Sequence, residues 1–223
     1  MYLKFLEGYE KNLVDNKHTL ILKKGSNVNG SSKAVFFDRD GILNKECHFL
    51  RKEEDVFLEE GVVLFLRQLK KFNWKIIVVT NQSGISRGLY TWNDYEKVTN
   101  KLLKLIGDKN LIDAIYANGY KDYKDQYSWR KPGIGMLKHS AKKLNVNLKI
   151  SIIIGDRLTD LKAGINANLA HCIHLLTGHG KKERGEIQKY INKNRNNIEI
   201  IKSNLILSEN LFDLYKNKIF HTN

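Results

Sequence analysis

Proline and cysteine are nearly missing from this chain. Among 223 residues there is one proline, Pro132, and there are two cysteines, Cys47 and Cys172. Two thiols exclude a disulfide framework. Cys172 lies in the string Ala170-His171-Cys172-Ile173-His174, which reads as a buried strand with the thiol as a small core group. The histidines beside it find no second cluster at metal-ligand spacing. No stretch approaches the roughly 20 apolar residues needed to cross a bilayer. The start, Met1-Tyr2-Leu3-Lys4, runs into acids and has no apolar signal core, so a cytoplasmic protein without membrane contact is expected. No internal repeat is evident.

Acidic residues are also in deficit. Lysine and arginine number 38 against 24 aspartates and glutamates, a formal net charge of +14. Such an excess attracts phosphorylated partners, nucleic acid included. The pairs Lys70-Lys71, Lys142-Lys143 and Lys181-Lys182 lie in different segments, however, and no long basic run joins them. The charge reads as compositional bias in a chain rich in Lys, Asn and Ile, and nucleic acid is not the expected partner.

Apolar strings that end in polar clusters carry the signal. Ala34-Val35-Phe36-Phe37 stops in Asp38-Arg39-Asp40-Gly41. Ile76-Ile77-Val78-Val79 runs out into Thr80-Asn81-Gln82-Ser83-Gly84. Arg130-Lys131-Pro132-Gly133 precedes a helical pattern, and Ile152-Ile153-Ile154 ends in Gly155-Asp156-Arg157-Leu158-Thr159-Asp160. Strands that deliver two acids, a hydroxyl and amides, a lysine and a further acid at the ligand-binding end of a parallel sheet suit a phosphate and a magnesium ion.

Helical spacing over Gly61 to Phe72, a Thr91 cap with Asp94 in the capping-box position, and helical patterns over 133–144 and 158–168 alternate with strands at 75–79, 112–117, 150–154 and 171–175. The alternation predicts an α/β fold with a central, mostly parallel sheet, helices on both faces and no large cap domain. Residues 34–223 form the predicted domain. Residues 1–33 are an N-terminal extension whose Thr19–Leu22 forms either an added strand or part of a loose arm, followed by a Gly/Ser/Asn linker over 25–32. The charged tail over 181–223 is helix-prone, with a strand candidate at Asn204–Leu207.

In this order the four motifs resemble the haloacid dehalogenase (HAD) superfamily of aspartate-nucleophile phosphatases. The longer strings, from Phe36-Phe37-Asp38 to Ile165-Asn166-Ala167, are similar to its branch of heptose-bisphosphate and histidinol-phosphate phosphatases. The resemblance runs from about Ala34 to about Thr177 and implies a Rossmann-like HAD fold. It implies a Mg2+-dependent phosphomonoesterase working through an aspartyl-phosphate, removing the 7-phosphate of a heptose 1,7-bisphosphate on the way to surface polysaccharide. Histidinol phosphate is the alternative substrate, and a polynucleotide 3′-phosphate is the third. A receiver-type phospho-accepting domain places its acceptor aspartate on a later strand than its acid pair, unlike this chain.

The resemblance casts Asp38 as nucleophile and Asp40 as general acid and base. Asp38, the backbone carbonyl of Asp40, and Asp156 would hold magnesium. Thr80, Asn81 and Lys131 would hold the phosphoryl oxygens as charge develops. Gln82, Ser83, Arg130 and Arg157 would touch a small phosphorylated sugar, as would Glu46, Cys47, His48 and Phe49, which stand where the family has Asp-x-Gly-Tyr. Arg87 is either a further substrate contact or a surface base, and Asp160 either orients this site or caps a helix. Relatives often carry a Cys/His zinc loop before Arg-Lys-Pro. This chain has no cysteine over 118–129, so no structural zinc is expected, and Tyr116, Tyr120, Tyr123, Tyr127 and Trp129 are left to hold the loop. A monomer is expected. Asp38→Asn should abolish phosphate release, because an amide cannot form the acyl-phosphate; appreciable residual turnover would remove Asp38 from the nucleophile role.

Overall fold

Among the described residues, eight strands form one sheet in the order β1-β2-β5-β4-β3-β6-β7-β8. The computed structural model describes residues 9–15, 18–23, 31–108, 110–194 and 204–216. The strands are β1 (Tyr9–Asp15), β2 (His18–Lys23), β3 (Ala34–Phe37), β4 (Lys75–Asn81), β5 (Ala114–Asn118), β6 (Ile152–Gly155), β7 (His171–His174) and β8 (Asn204–Leu207). From β5 to β8 all neighbours run parallel, with β3 between β4 and β6. Among the described residues, no helix is long and apolar enough to cross a membrane.

Among the described residues the α-helices are α1 (Val62–Lys71), α2 (Trp92–Ile106), α3 (Gly135–Leu144), α4 (Leu158–Asn166), α5 (Gly180–Lys193) and α6 (Leu211–Lys216). Strand periodicity divides the core between the two faces. Val35, Phe37, Ile76 and Val78 pack with Phe65, Leu69, Val98 and Leu214, so α1, α2 and α6 cover one face. Phe36, Ile77, Val79 and Ile153 pack with Leu137, Leu161 and Ile187, so α3, α4 and α5 cover the other. The four residues of β3 are fully buried, as a central parallel strand requires. Burying a side chain such as Phe36 or Phe37 contributes roughly 1.5–3 kcal/mol.

Several sequence-based boundaries shift for local reasons. The strand expected from Ile112 begins at Ala114, because Asp113 is engaged in turning the chain: its Oδ2 accepts Ile76 N–H at 2.7 Å and pairs with Lys70 Nζ at 2.5 Å. The helix expected from Gly133 begins at Gly135, because Gly133 N–H and Ile134 N–H are taken by the carbonyls of Arg130 and Gln126 in a turn. Pro132 therefore lies before the helix rather than opening it. The open alternative over Thr19–Leu22 resolves as a strand: β2 pairs antiparallel with both β1 and β5, Leu20 opposite Tyr116. Most of the linker over 25–32 lies outside the described residues.

Tyr120, Tyr123 and Tyr127 do not pin the cysteine-free loop from inside: they are 37%, 45% and 62% exposed. Trp129 does, with its ring 5.6 Å from Tyr116 and 5.4 Å from His139. Main-chain bonds from Ser128 to Asp125 and from Gly135 to Ser128 close the loop on itself. The Thr91 cap forms as the sequence indicates, with Asp94 Oδ2 accepting Thr91 N–H at 2.9 Å. Thr91→Ala should lower stability by about 1 kcal/mol, read as a lower urea midpoint with unchanged slope. An unchanged midpoint would mean that the box adds nothing to α2.

Candidate active site

Three strands and one loop bring their polar ends to a single cleft of about 420 Å³. β3 delivers Asp38 and Asp40, β4 delivers Thr80 and Asn81, β6 leads into Asp156 and Arg157, and the loop before α3 delivers Arg130 and Lys131; all of these line it. Glu46, Cys47, His48, Phe49, Leu50, Gln82, Ser83, Arg87 and Tyr90 complete its wall, with Thr159 and His179. Every site residue expected from the sequence is thus brought to one place.

Lys131 sits at the centre. It is 2% exposed, and its ammonium lies 2.9 Å from Asp38 Oδ1 and 2.5 Å from Asp160 Oδ1. Burial disfavours its charge, but the two carboxylates outweigh burial and raise its pKa above the ordinary lysine value. Asn81 anchors the same residue through the backbone: its Oδ1 accepts Lys131 N–H at 3.0 Å and its Nδ2 donates to Lys131 O at 3.1 Å. Asp160 does both jobs left open by the sequence, pairing with Lys131 and accepting Arg157 N–H at 3.1 Å at the start of α4.

Asp156 is fully buried, with Oδ2 accepting His179 N–H at 2.7 Å and Oδ1 without a hydrogen-bond partner among the described residues. Two glycines make room for it. Gly41 (φ +79°) and Gly178 (φ +53°) come so close that a Cβ on either would meet Asp156 Oδ2, at 2.6 Å and 2.2 Å, and the Cα of the other glycine. Behind it, His174 Nε2 lies 2.9 Å from Asp156 O while Arg184 Nε donates to His174 Nδ1 at 2.9 Å, so Nε2 carries the proton.

Asp38, Asp156 and Asp160 offer carboxylate oxygens within 4.8 Å of one another, the group of described residues able to hold a metal ion. Three acids against one lysine leave a net formal charge of −3 + 1 = −2 in a buried space. Burial first, then the neighbouring acids, pushes Asp156 up to about 9. Burial pushes Asp38 up to about 6, against the pull of Lys131. A hard divalent cation fits this donor set and the free Asp156 Oδ1. Asp160, already taken on both oxygens, leaves Asp38 and Asp156 as the better ligands.

Asp40 has different company. Its carboxylate accepts from Arg39 Nε at 3.0 Å, Arg39 Nη2 at 2.9 Å, Asn44 Nδ2 at 3.0 Å and Gln82 Nε2 at 2.9 Å. Burial opposes its ionisation, yet Arg39 and these bonds together hold its pKa below the ordinary carboxylate value. Gln82, expected against substrate, is 2% exposed and also bonds Thr80, Arg39 and Tyr90. Its side chain is occupied within the protein. Arg157, on the rim, pairs with Glu183 at 2.7 Å. Arg39, Asn44, Tyr90, Gly178 and His179 were not singled out by sequence. The string Thr177-Gly178-His179-Gly180 at the end of a strand was the available signal for the last two.

A family model described as polynucleotide kinase 3 phosphatase matches residues 33–161, and a HAD-hydrolase-like model matches residues 128–199. A D-glycero-alpha-D-manno-heptose-1,7-bisphosphate 7-phosphatase of Photorhabdus laumondii is 33% identical over 192 residues, covering 82% of this chain and 95% of that protein. The D-glycero-beta-D-manno-heptose-1,7-bisphosphate 7-phosphatase of Haemophilus influenzae is 35% identical over 161 residues, covering 70% and 86%. Among solved structures, a HAD-like phosphatase of Mesorhizobium loti superposes with TM-score 0.70 at 25% identity, covering 82% of this chain and 97% of its own. A D,D-heptose 1,7-bisphosphate phosphatase of B. bronchiseptica, complexed with magnesium and phosphate, gives 0.71 at 24%, covering 85% and 99%, a likeness of fold.

A raised folded-state pKa stabilises below the unfolded value and loses that contribution as pH climbs. Metal-free protein should therefore lose stability as pH rises from near the ordinary 3.8 of Asp156 toward about 9. Asp156→Asn should flatten that loss, and millimolar Mg2+ should raise the melting temperature of the parent at mildly alkaline pH but not of the variant. Equal Mg2+ shifts in both would exclude Asp156 as a ligand.

Proposed function

We propose that this chain, which belongs to the HAD-like phosphatases, removes the 7-phosphate from a D-glycero-D-manno-heptose 1,7-bisphosphate with Mg2+ as cofactor. It is a phosphatase. The observation that carries the reading is the convergence of Asp38, Lys131 and Asp156 at the ends of β3, the loop before α3, and β6. Magnesium, held by Asp38, Asp156 and the Asp40 carbonyl, would screen the repulsion between carboxylate and phosphate and polarise the phosphoryl group.

Asp38 attacks phosphorus in line, and the bond from phosphorus to the sugar oxygen breaks. Asp40, protonated once the incoming phosphate adds its negative charge beside it, gives that oxygen its proton. Lys131 and the Thr80 hydroxyl hold the oxygens that gain charge. Asp40 then takes a proton from water, the water oxygen attacks phosphorus, and Asp38 is released as carboxylate with inorganic phosphate. Asn81 keeps Lys131 in place by gripping its backbone.

The mouth of the cleft supports a second anionic group on the substrate. Arg87 and Arg130 line it, and neither is in an ion pair with a described residue. Burial, then Arg87 and Arg157, lowers the pKa of Arg130, the cost of crowding cations that an anion would relieve. Free thiols at Cys47 and Cys172 agree with a reducing, cytoplasmic setting. A second reading, a 3′-phosphate on a polynucleotide, is favoured by the family model over 33–161.

Phosphate release from both anomers of heptose 1,7-bisphosphate, histidinol phosphate and a 3′-phosphorylated oligonucleotide tests the choice. The highest kcat/KM should fall on a heptose bisphosphate. Preference for the oligonucleotide would replace the sugar reading. Arg130→Ala should raise KM for the bisphosphate about tenfold or more, with little effect on the corresponding monophosphate. An equal rise for both would take Arg130 off the second phosphate.

A further inference from the structure

Arg39 stands between the two acids of the first motif, yet it is 1% exposed and does not line the cleft. A buried guanidinium is costly unless paired, and Nε and Nη2 of Arg39 are bonded while Nη1 has no hydrogen-bond partner among the described residues. Here its fork closes on Asp40 through Nε and Nη2, at 3.0 Å and 2.9 Å. Its guanidinium carbon lies 5.2 Å from the ring centre of Tyr95, on α2, and Nη2 also reaches Gln82 Oε1 at 3.2 Å. Tyr90 OH donates to that same Gln82 oxygen at 2.6 Å. Gln82 Nε2 returns a bond to Asp40 and another to Thr80 Oγ1. The side chain of Asp40 is 20% exposed where that of Arg39 is 1% exposed, so the acid meets the cleft and the guanidinium lies behind it.

We propose that Arg39, backed by Gln82 and Tyr90, is a positioning residue that fixes the orientation of the Asp40 carboxylate for proton transfer to the departing sugar oxygen. The inference rests on the phosphatase reading above and extends it to a residue that touches no substrate. A two-point fork fixes both the place and the plane of a carboxylate, which one ammonium cannot do. The same Gln82 amide joins Asp40 to Thr80, so the acid and one phosphoryl-oxygen donor are set by one side chain. The proton passes from Asp40 to the oxygen released from phosphorus, and Arg39 gives up none.

The test compares kcat/KM, which reports only the steps through release of the leaving group. p-Nitrophenyl phosphate, whose phenolate leaves without a proton, is set against two alkyl phosphates, heptose 1,7-bisphosphate and glycerol 3-phosphate. Arg39→Met should lower kcat/KM by about a hundredfold or more on the alkyl substrates and by less than about tenfold on the aryl one, matching the pattern of Asp40→Asn. Equal losses on all three substrates, or no loss, would overturn the role. Circular dichroism establishes that the variant folds. Should it not fold, Arg39→Lys, which keeps a charge without the fork, decides by the same criterion: a loss selective for alkyl substrates supports the clamp, and an unselective one overturns it. Wild-type protein that hydrolyses p-nitrophenyl and glycerol phosphates but not the heptose would overturn the substrate reading alone.

Discussion

Crowding of negative charge around one buried ammonium is the constraint from which the rest of this site follows. Lys131 neutralises one charge of the three carried by Asp38, Asp156 and Asp160. A charge excess in a space largely withdrawn from water is tolerated only if a cation or protons relieve it. The reaction places a further anion, the phosphate, in the same cleft. The burial and mutual repulsion that raise Asp38 and Asp156 are therefore what a divalent cation would relieve.

The sheet supplies the frame. β3 lies between β4 and β6, all parallel, so their carboxyl ends open on the same side. Asp38 N–H still bonds Ile154 O at 3.0 Å, which carries the β3–β6 pairing one residue past the strand. Steric economy does the rest. Gly41 and Gly178, from segments far apart in the chain, touch so closely over Asp156 that no side chain fits at either. The loop after β7 thus becomes part of the site and brings the His179 N–H.

Much of this was legible in the chain because it is local. Apolar runs ending in acids mark β3 and β6, helical spacing marks α1, and the Thr91 cap marks α2. Thr91 and Asp94 are three residues apart, and their capping box needs nothing beyond α2 itself. Asn204–Leu207 was found because an apolar run is visible even in a charged tail. The double role of Asp160, the grip of Asn81 on Lys131, and the Trp129–Tyr116–His139 cluster depend on partners in other segments. No periodicity encodes such pairings. Thr19–Leu22 was ambiguous for the same reason: an edge strand is defined by the neighbour it finds, here β5.

By itself the amino-acid sequence determined which apolar runs end in polar clusters, in what order, and that a lysine loop falls between the second and the last of them. It could not tell Asp38 from Asp40 by position, since residues two apart on a strand face the same way. The tertiary structure gives them different surroundings. Asp38 meets Lys131 in the charge cluster, while Asp40 is gripped by Arg39, Asn44 and Gln82. The physical reason is that the behaviour of a buried carboxylate is set by the charges and donors within a few ångströms of it, and most of those arrive from elsewhere in the chain.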